Sequence, residues 1–316
     1  MESMDQRERK YLIDMDIGDD IDDAIALYAA MQRRFDLVGV TTVFRNTVKR
    51  ANIAKKLLTL YGHGYENVPV YSGHGVPLSE KEKEYDSPPH YIPEIDSYHP
   101  DGTDPDDAVD FIIRSCRMYR SNLTIIAIGP FTNLAKALQR DTEALGLCGQ
   151  ISIMGGAFFK QYADWNIMCD VEAADQLFRN LNNLICLGAD VTHFCAGDSL
   201  LYDALLNYTG SEPARHYLGD LCKLWQKDRP EAKLLLHDPL VVYNLAVPTL
   251  CQMEPATVAV IPDGFARGMS LNVDAYGKMW MNPSAYAEYP LKKCRVAKTV
   301  DVKKFLEMMH ADFSKD

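Results

Sequence analysis

Six short, apolar, β-branched runs alternate with helix-patterned segments through the first two thirds of the chain, and this alternation narrows its possible folds more than any other feature. Strands are expected at 11–14, 37–43, 68–71, 123–128, 151–154 and 184–187, and helices at 22–34, 47–60, 106–120, 132–140 and 171–181. The strand runs are continuously apolar rather than alternating, as in strands covered on both faces. A β-α alternation of this kind builds a mainly parallel sheet flanked by helices, with right-handed crossovers. The fold class is therefore α/β and Rossmann-like, and ligands should bind beyond the carboxyl ends of the strands. The final third is mixed, with helical patterns at 211–227 and 236–245, strand-like "TVAVIP", and a terminal helix near 302–309. No repeat, linker or composition break divides the 316 residues, so one domain is expected over 1–316. Residues 79–107 interrupt the alternation with a long, polar, proline-containing stretch that reads as a surface excursion or lid.

Composition removes several functional classes. Hydrophobic residues make up 47% of the chain, enough for a packed core. The net charge of -11, with only short basic clusters such as 223–229, opposes nucleic-acid binding. The eight cysteines are scattered without a C-x-x-C pair, which suits reduced, buried thiols. The charged start "MESMDQRERKYL" has no secretory pattern, and no apolar run reaches membrane-spanning length. A cytoplasmic protein that partners neither membrane nor nucleic acid is expected.

"IDMDIGDDIDDAIAL" (13–27) carries six aspartates within ten positions: Asp14, Asp16, Asp19, Asp20, Asp22 and Asp23. They fall between the end of the first strand and the start of the first helix. An aspartate in a first helical turn meets free N–H groups and the positive end of the dipole. Capping accounts for one or two of the six and leaves Asp14 and Asp16 unexplained. Hard carboxylate oxygens from a strand end and a helix start suit Ca²⁺ or Mg²⁺. An EF-hand is excluded, because its sixth and twelfth positions, counted from Asp14, hold Asp19 and Ile25. A metal-dependent phosphatase with Asp14 as nucleophile is a second possibility, with Thr41 and Thr42 as its only phosphate-gripping candidates.

The cluster resembles the D-x-D-x-G-x-D-D-A signature of the inosine-uridine-preferring nucleoside hydrolases, here two residues longer after the glycine. Four more stretches resemble that family in its order: "GVTTVFRN" (39–46), "IAIGPFTNLAKAL" (126–138), "IMGGAFF…ADWNIMCDVEAA" (153–174) and "LLHDPL" (235–240). The resemblance implies Ca²⁺-dependent hydrolysis of the N-glycosidic bond of ribonucleosides, in a homodimer or homotetramer. By motif, Asp16, Asp23, Asp238 and the Ile128 carbonyl would hold the ion, with Asp16 also the general base. Asp22, Asn46, Asn166 and Asp238 would bind the ribose. His237 would protonate the departing base, and His99 would be a second pocket histidine. The family's A-E-x-N is A-D-W-N here, so Asp164 replaces a glutamate expected near the ribose 5′-hydroxyl. That departure keeps open a family member that binds a ribosyl ligand without turnover. Trp225, Trp280, Tyr91 and Tyr98 are candidates to stack on a nucleobase.

Overall fold

The computed structural model describes residues 9–78, 87–276 and 290–314. Its framework is one nine-stranded sheet, ordered β3-β2-β1-β4-β5-β6-β9-β7-β8. The strands are β1 (Lys10–Met15), β2 (Leu37–Thr42), β3 (Val70–Ser72), β4 (Leu123–Ala127), β5 (Gln150–Met154), β6 (Leu184–Leu187), β7 (Cys251–Val260), β8 (Ser270–Asn272) and β9 (Lys293–Val300). The first six run parallel, and β1 lies between β2, with Ile13 opposite Val40, and β4, with Ile13 opposite Ile126. The chain steps outward from β1 to β2 and β3, then crosses back to β4 on the other side of β1. That reversal makes the β1–β4 boundary the switch point, where an open α/β sheet leaves a crevice at its carboxyl edge.

Alternate residues of β1 face opposite helical layers, as the two-residue repeat of a strand requires. Tyr11, Ile13 and Met15 enter one core cluster, and Leu12 joins Ile125 and Ala127 in the other. The Asp22–Gln32 helix is apolar nearly all round after its acidic first turn, and every residue from Asp22 to Met31 is buried. It packs against the His237–Ala246 helix. Two segments far apart in sequence therefore deliver their N-termini to the same place.

The six expected parallel strands and five intervening helices are all present, with ends shifted by a few residues. The sheet is nonetheless mixed at its far side, where β7 runs antiparallel to both β9 and β8. β9, "KCRVAKTV", was not expected, because its charged residues face outward between buried ones and mask the apolar pattern. Of the 79–107 excursion, residues 79–86 lie outside the described residues. The rest carries a short 3₁₀ turn at Pro93–Ser97 with Ile95 buried, and the His90 amide donates to the Gly18 carbonyl at 3.2 Å. The excursion thus lies over the aspartate turn. All eight cysteines are free and buried. No helix among the described residues is long and apolar enough to cross a membrane.

Candidate active site

Asp16 is the first residue past β1, at the switch point. Gly18 turns the chain with a φ of +118°, which few side chains tolerate, and the next helix begins at Asp22. Beside the turn, Gly129 follows the end of β4. A Cβ there would stand 2.9 Å from both the amide nitrogen and a carboxylate oxygen of Asp16, so only glycine allows this approach.

Asp22 and Asp23 come from the first turn of one helix, and Asp238 is the second residue of the His237–Ala246 helix. One carboxylate oxygen from each lies within 4.8 Å of the others. All three are buried, and Asp23 Oδ1 has no hydrogen-bond partner. Burial first, then repulsion among neighbouring carboxylates, pushes all three well above the usual carboxylate range. Asp16, also buried in the same cavity, is pushed up to about 7, mainly by burial and partly offset by Arg50. Three buried, mutually repelling carboxylates with an orphaned oxygen fit a hard divalent cation bound through oxygen. Asp22, expected at the ribose, belongs to this tight trio, whereas Asp16 stands outside it.

The other three aspartates do different work. Asp14 is fully buried behind the site, and its Oδ1 accepts from Thr41 Oγ1 at 2.6 Å and from Asn133 Nδ2 at 2.7 Å. It does not line the cavity and its neighbour Thr41 is engaged with it, which leaves no accessible nucleophile for phosphatase chemistry. Asp19 pairs with Arg50 at 2.8 Å and with Arg45 at 3.3 Å, and Asp20 pairs with Arg229 at 2.8 Å.

Asn166 ties two strand ends together, its Nδ2 donating to the carbonyls of Ile128 at 2.9 Å and Met154 at 3.1 Å. A carbonyl oxygen has two lone pairs, so Ile128 retains one for a further partner. Asp164 is the N-cap of the Trp165–Cys169 helix and accepts from the amides of Asn166 and Ile167. Burial raises it to about 6 against those backbone hydrogen bonds. The shortening from glutamate gives this acid a capping geometry that favours aspartate. Asn46 likewise caps its helix, accepting from the Lys49 amide at 3.1 Å, and lines the cavity.

The cavity holds about 640 Å³, within the usual span of small-molecule sites. His237, immediately before Asp238 on the same helix, also lines the cavity and is half-buried, with Nδ1 2.5 Å from Thr192 Oγ1. Burial, helped by the neighbouring His193, lowers its pKa to about 4, so the ring is neutral at pH 7. The His193 ring sits 5.1 Å from that of His237, and its Nδ1 is 3.1 Å from the Tyr162 hydroxyl. Trp165 is 52% exposed at the mouth, with the Arg45 guanidinium 5.9 Å from its ring centre. Tyr162, His193 and Trp165 were not singled out in the sequence; only the place of Trp165 inside the A-D-W-N stretch offered a signal. His99 is exposed and does not line the cavity, and Trp225 is a core residue. Tyr91 and Tyr98 also lie off the cavity, and Trp280 falls outside the described residues.

The model of one protein family, described as inosine-uridine preferring nucleoside hydrolase, matches residues 11–307. Uridine nucleosidase 1 of Arabidopsis thaliana is 29% identical over 325 residues, covering 98% of this chain and 94% of the relative. Among solved structures, the plant nucleoside hydrolase PpNRh1 superposes with a TM-score of 0.81 at 26% identity, covering 98% of this chain and all of that one. A purine-preferring ribonucleoside hydrolase from Gardnerella vaginalis gives a TM-score of 0.75 at 26% identity, covering 97% and 98%.

Proposed function

Because the chain belongs to the inosine-uridine-preferring nucleoside hydrolase family, whose members hydrolyse N-glycosyl bonds, we propose that it splits ribonucleosides into ribose and free base in a Ca²⁺-dependent reaction. The observation that carries this reading is the buried trio Asp22, Asp23 and Asp238 in a cavity that His193 and His237 also line. Asp16, Asp23, Asp238 and the Ile128 carbonyl would hold the ion, with Asp22 near enough to share the task. The bound ion supplies positive charge that draws in the ribose 2′- and 3′-hydroxyls and acidifies a water molecule.

Asp16 takes the proton of the attacking water, the task of a general base held within reach of it. Asp22, Asn46, Asn166 and Asp238 orient the ribose by hydrogen bonds, and Asp164 lies beside its 5′ end. The bond from C1′ to the base nitrogen breaks with its electron pair leaving on the base. Positive charge then develops on the sugar ring, and the surrounding carboxylates stabilise it. Beside Asp238, Thr192 Oγ1 and His237 Nδ1 lie 2.5 Å apart. With the Thr192 hydroxyl donating, the neutral ring offers its Nε2–H as a hydrogen bond to the departing base, which takes its proton from water. A homodimer or homotetramer is the expected assembly, which sedimentation of the purified protein would check.

The test is a panel of purine and pyrimidine ribonucleosides, incubated after EDTA treatment and again after added Ca²⁺, with free ribose and free base both measured. Release restored by Ca²⁺ is the expected result. No release from any nucleoside while Ca²⁺ is bound would overturn the reading.

A further inference from the structure

The aspartate turn is two residues longer than the signature it resembles, and the two extra acids, Asp19 and Asp20, both face arginines. The deepest of those arginines is Arg50, only 1% exposed. Its Nε donates to the Phe44 carbonyl at 2.7 Å. One terminal nitrogen donates to the carbonyls of Asp16 and of Ile17, the latter at 3.0 Å. The other reaches Asp19 Oδ2 at 2.8 Å. We propose that Arg50, held by Asp19, is a positioning residue that fastens the cation-binding turn to the loop presenting Asn46.

Two consequences follow from the geometry. The carbonyl of Asp16 belongs to the residue whose carboxylate would act as base, so fixing that carbonyl fixes the backbone from which the side chain projects. Phe44 and Arg45 both have left-handed backbones, with φ of 68° and 61°, a conformation costly for side-chain-bearing residues. They directly precede Asn46. Arg50 holds the Phe44 carbonyl on one side, while the amides of Phe44 and Arg45 donate to His74 and Gly75 on the other. A guanidinium presents its donors in a rigid fork, which a lysine ammonium cannot reproduce.

Asp19 has a second task. Arg50 is close enough to Asp16 and Asp23 for its charge to act on both. Without a carboxylate of its own, the buried guanidinium would turn toward those acids and compete with the cation for them. Asp19 draws it away, and so the extra acid protects the cation site without binding the ion.

This inference rests on the cation-site reading given above. The decisive comparison is wild type, Asp19→Asn and Arg50→Lys, each assayed for Ca²⁺ binding by calorimetry, for kcat and KM, and for thermal unfolding. Asp19 is partly exposed and Arg50 is not, so Asp19→Asn tests the pairing with the smaller disturbance of the core. Both variants should bind Ca²⁺ about 10- to 100-fold more weakly, the span seen for residues behind a metal shell. Their kcat at saturating Ca²⁺ should also fall while Asp19→Asn melts near wild type. Variants that fold, bind Ca²⁺ and turn over like wild type would overturn the inference. A wild type that binds no Ca²⁺ would sink the cation reading separately. In that case kcat decides for Arg50: a fall with unchanged melting supports positioning, and no change refutes it.

Discussion

Two sets of groups line the cavity, and they are mounted by different means. In the acidic set each group sits within a residue or two of a regular element: Asp16 and Ile128 just past strands, Asp22, Asp23 and Asp238 in first helical turns. Backbone geometry sets their positions, and little can move without breaking sheet or helix hydrogen bonds. Among the other lining groups His237 opens the same helix as Asp238, whereas Tyr162 and His193 stand outside regular elements and Trp165 opens a five-residue helix. The clustered charge is thus mounted on rigid elements, whereas Tyr162 and His193 are carried by loops, which tolerate change of shape more readily.

The sharpest break in this comparison is Asp238→Asn. It should lower kcat/KM by at least about 10³-fold, since it removes a charge worth several kcal/mol in the transition state. In metal-free protein the same change should raise the melting temperature, because one of three repelling carboxylates is neutralised. A variant melting lower than wild type in EDTA would show that repulsion is not what strains the empty trio.

In the second set, His237→Ala should cost about 10²-fold with natural nucleosides, the lower part of the span for removing one hydrogen-bond donor to developing negative charge. With a ribosyl p-nitrophenolate, whose leaving group needs no proton, the loss should nearly vanish. Equal losses on both substrates would assign His237 to structure rather than to the base. Cation removal is next: stripping Ca²⁺ present at about 100 times its Kd should remove roughly 2.7 kcal/mol of stability, read as a drop in melting temperature. Asp164→Ala should lose about 1 kcal/mol of stability through the uncapped helix, and Asp164→Glu should retain less of that cap than the native residue. If Asp164→Glu melts at the native temperature, the capping account of this substitution fails.

The same division explains what could be read from the sequence. The six parallel strands were legible because strands covered on both faces are apolar without interruption, and the acidic groups because they cluster in short motifs at strand and helix ends. β9 was not legible, since its lysines and arginine alternate outward. The parts played by Asp19 and Asp20 depend on Arg50 and Arg229, 31 and 209 residues away, and no local pattern encodes such pairings. His99 is the converse case, a histidine in a loop whose course no periodicity fixes, and the structure places it exposed and off the cavity. Tyr162 and His193 carry no motif and meet only through the packing of β5 and β6.

Asp22 and Asp238 are separated by 216 positions, yet they meet in one trio. Closing so long a stretch of chain is entropically slow, and contacts of that separation form late. The ion's nest therefore does not exist in any fragment that ends before the His237–Ala246 helix, nor in a folding intermediate that has only β1 to β6 in register. A cation held by this trio cannot nucleate the fold; it can only reward its completion. All of its binding free energy then counts against unfolding, so added Ca²⁺ should slow unfolding and leave the refolding rate almost unchanged.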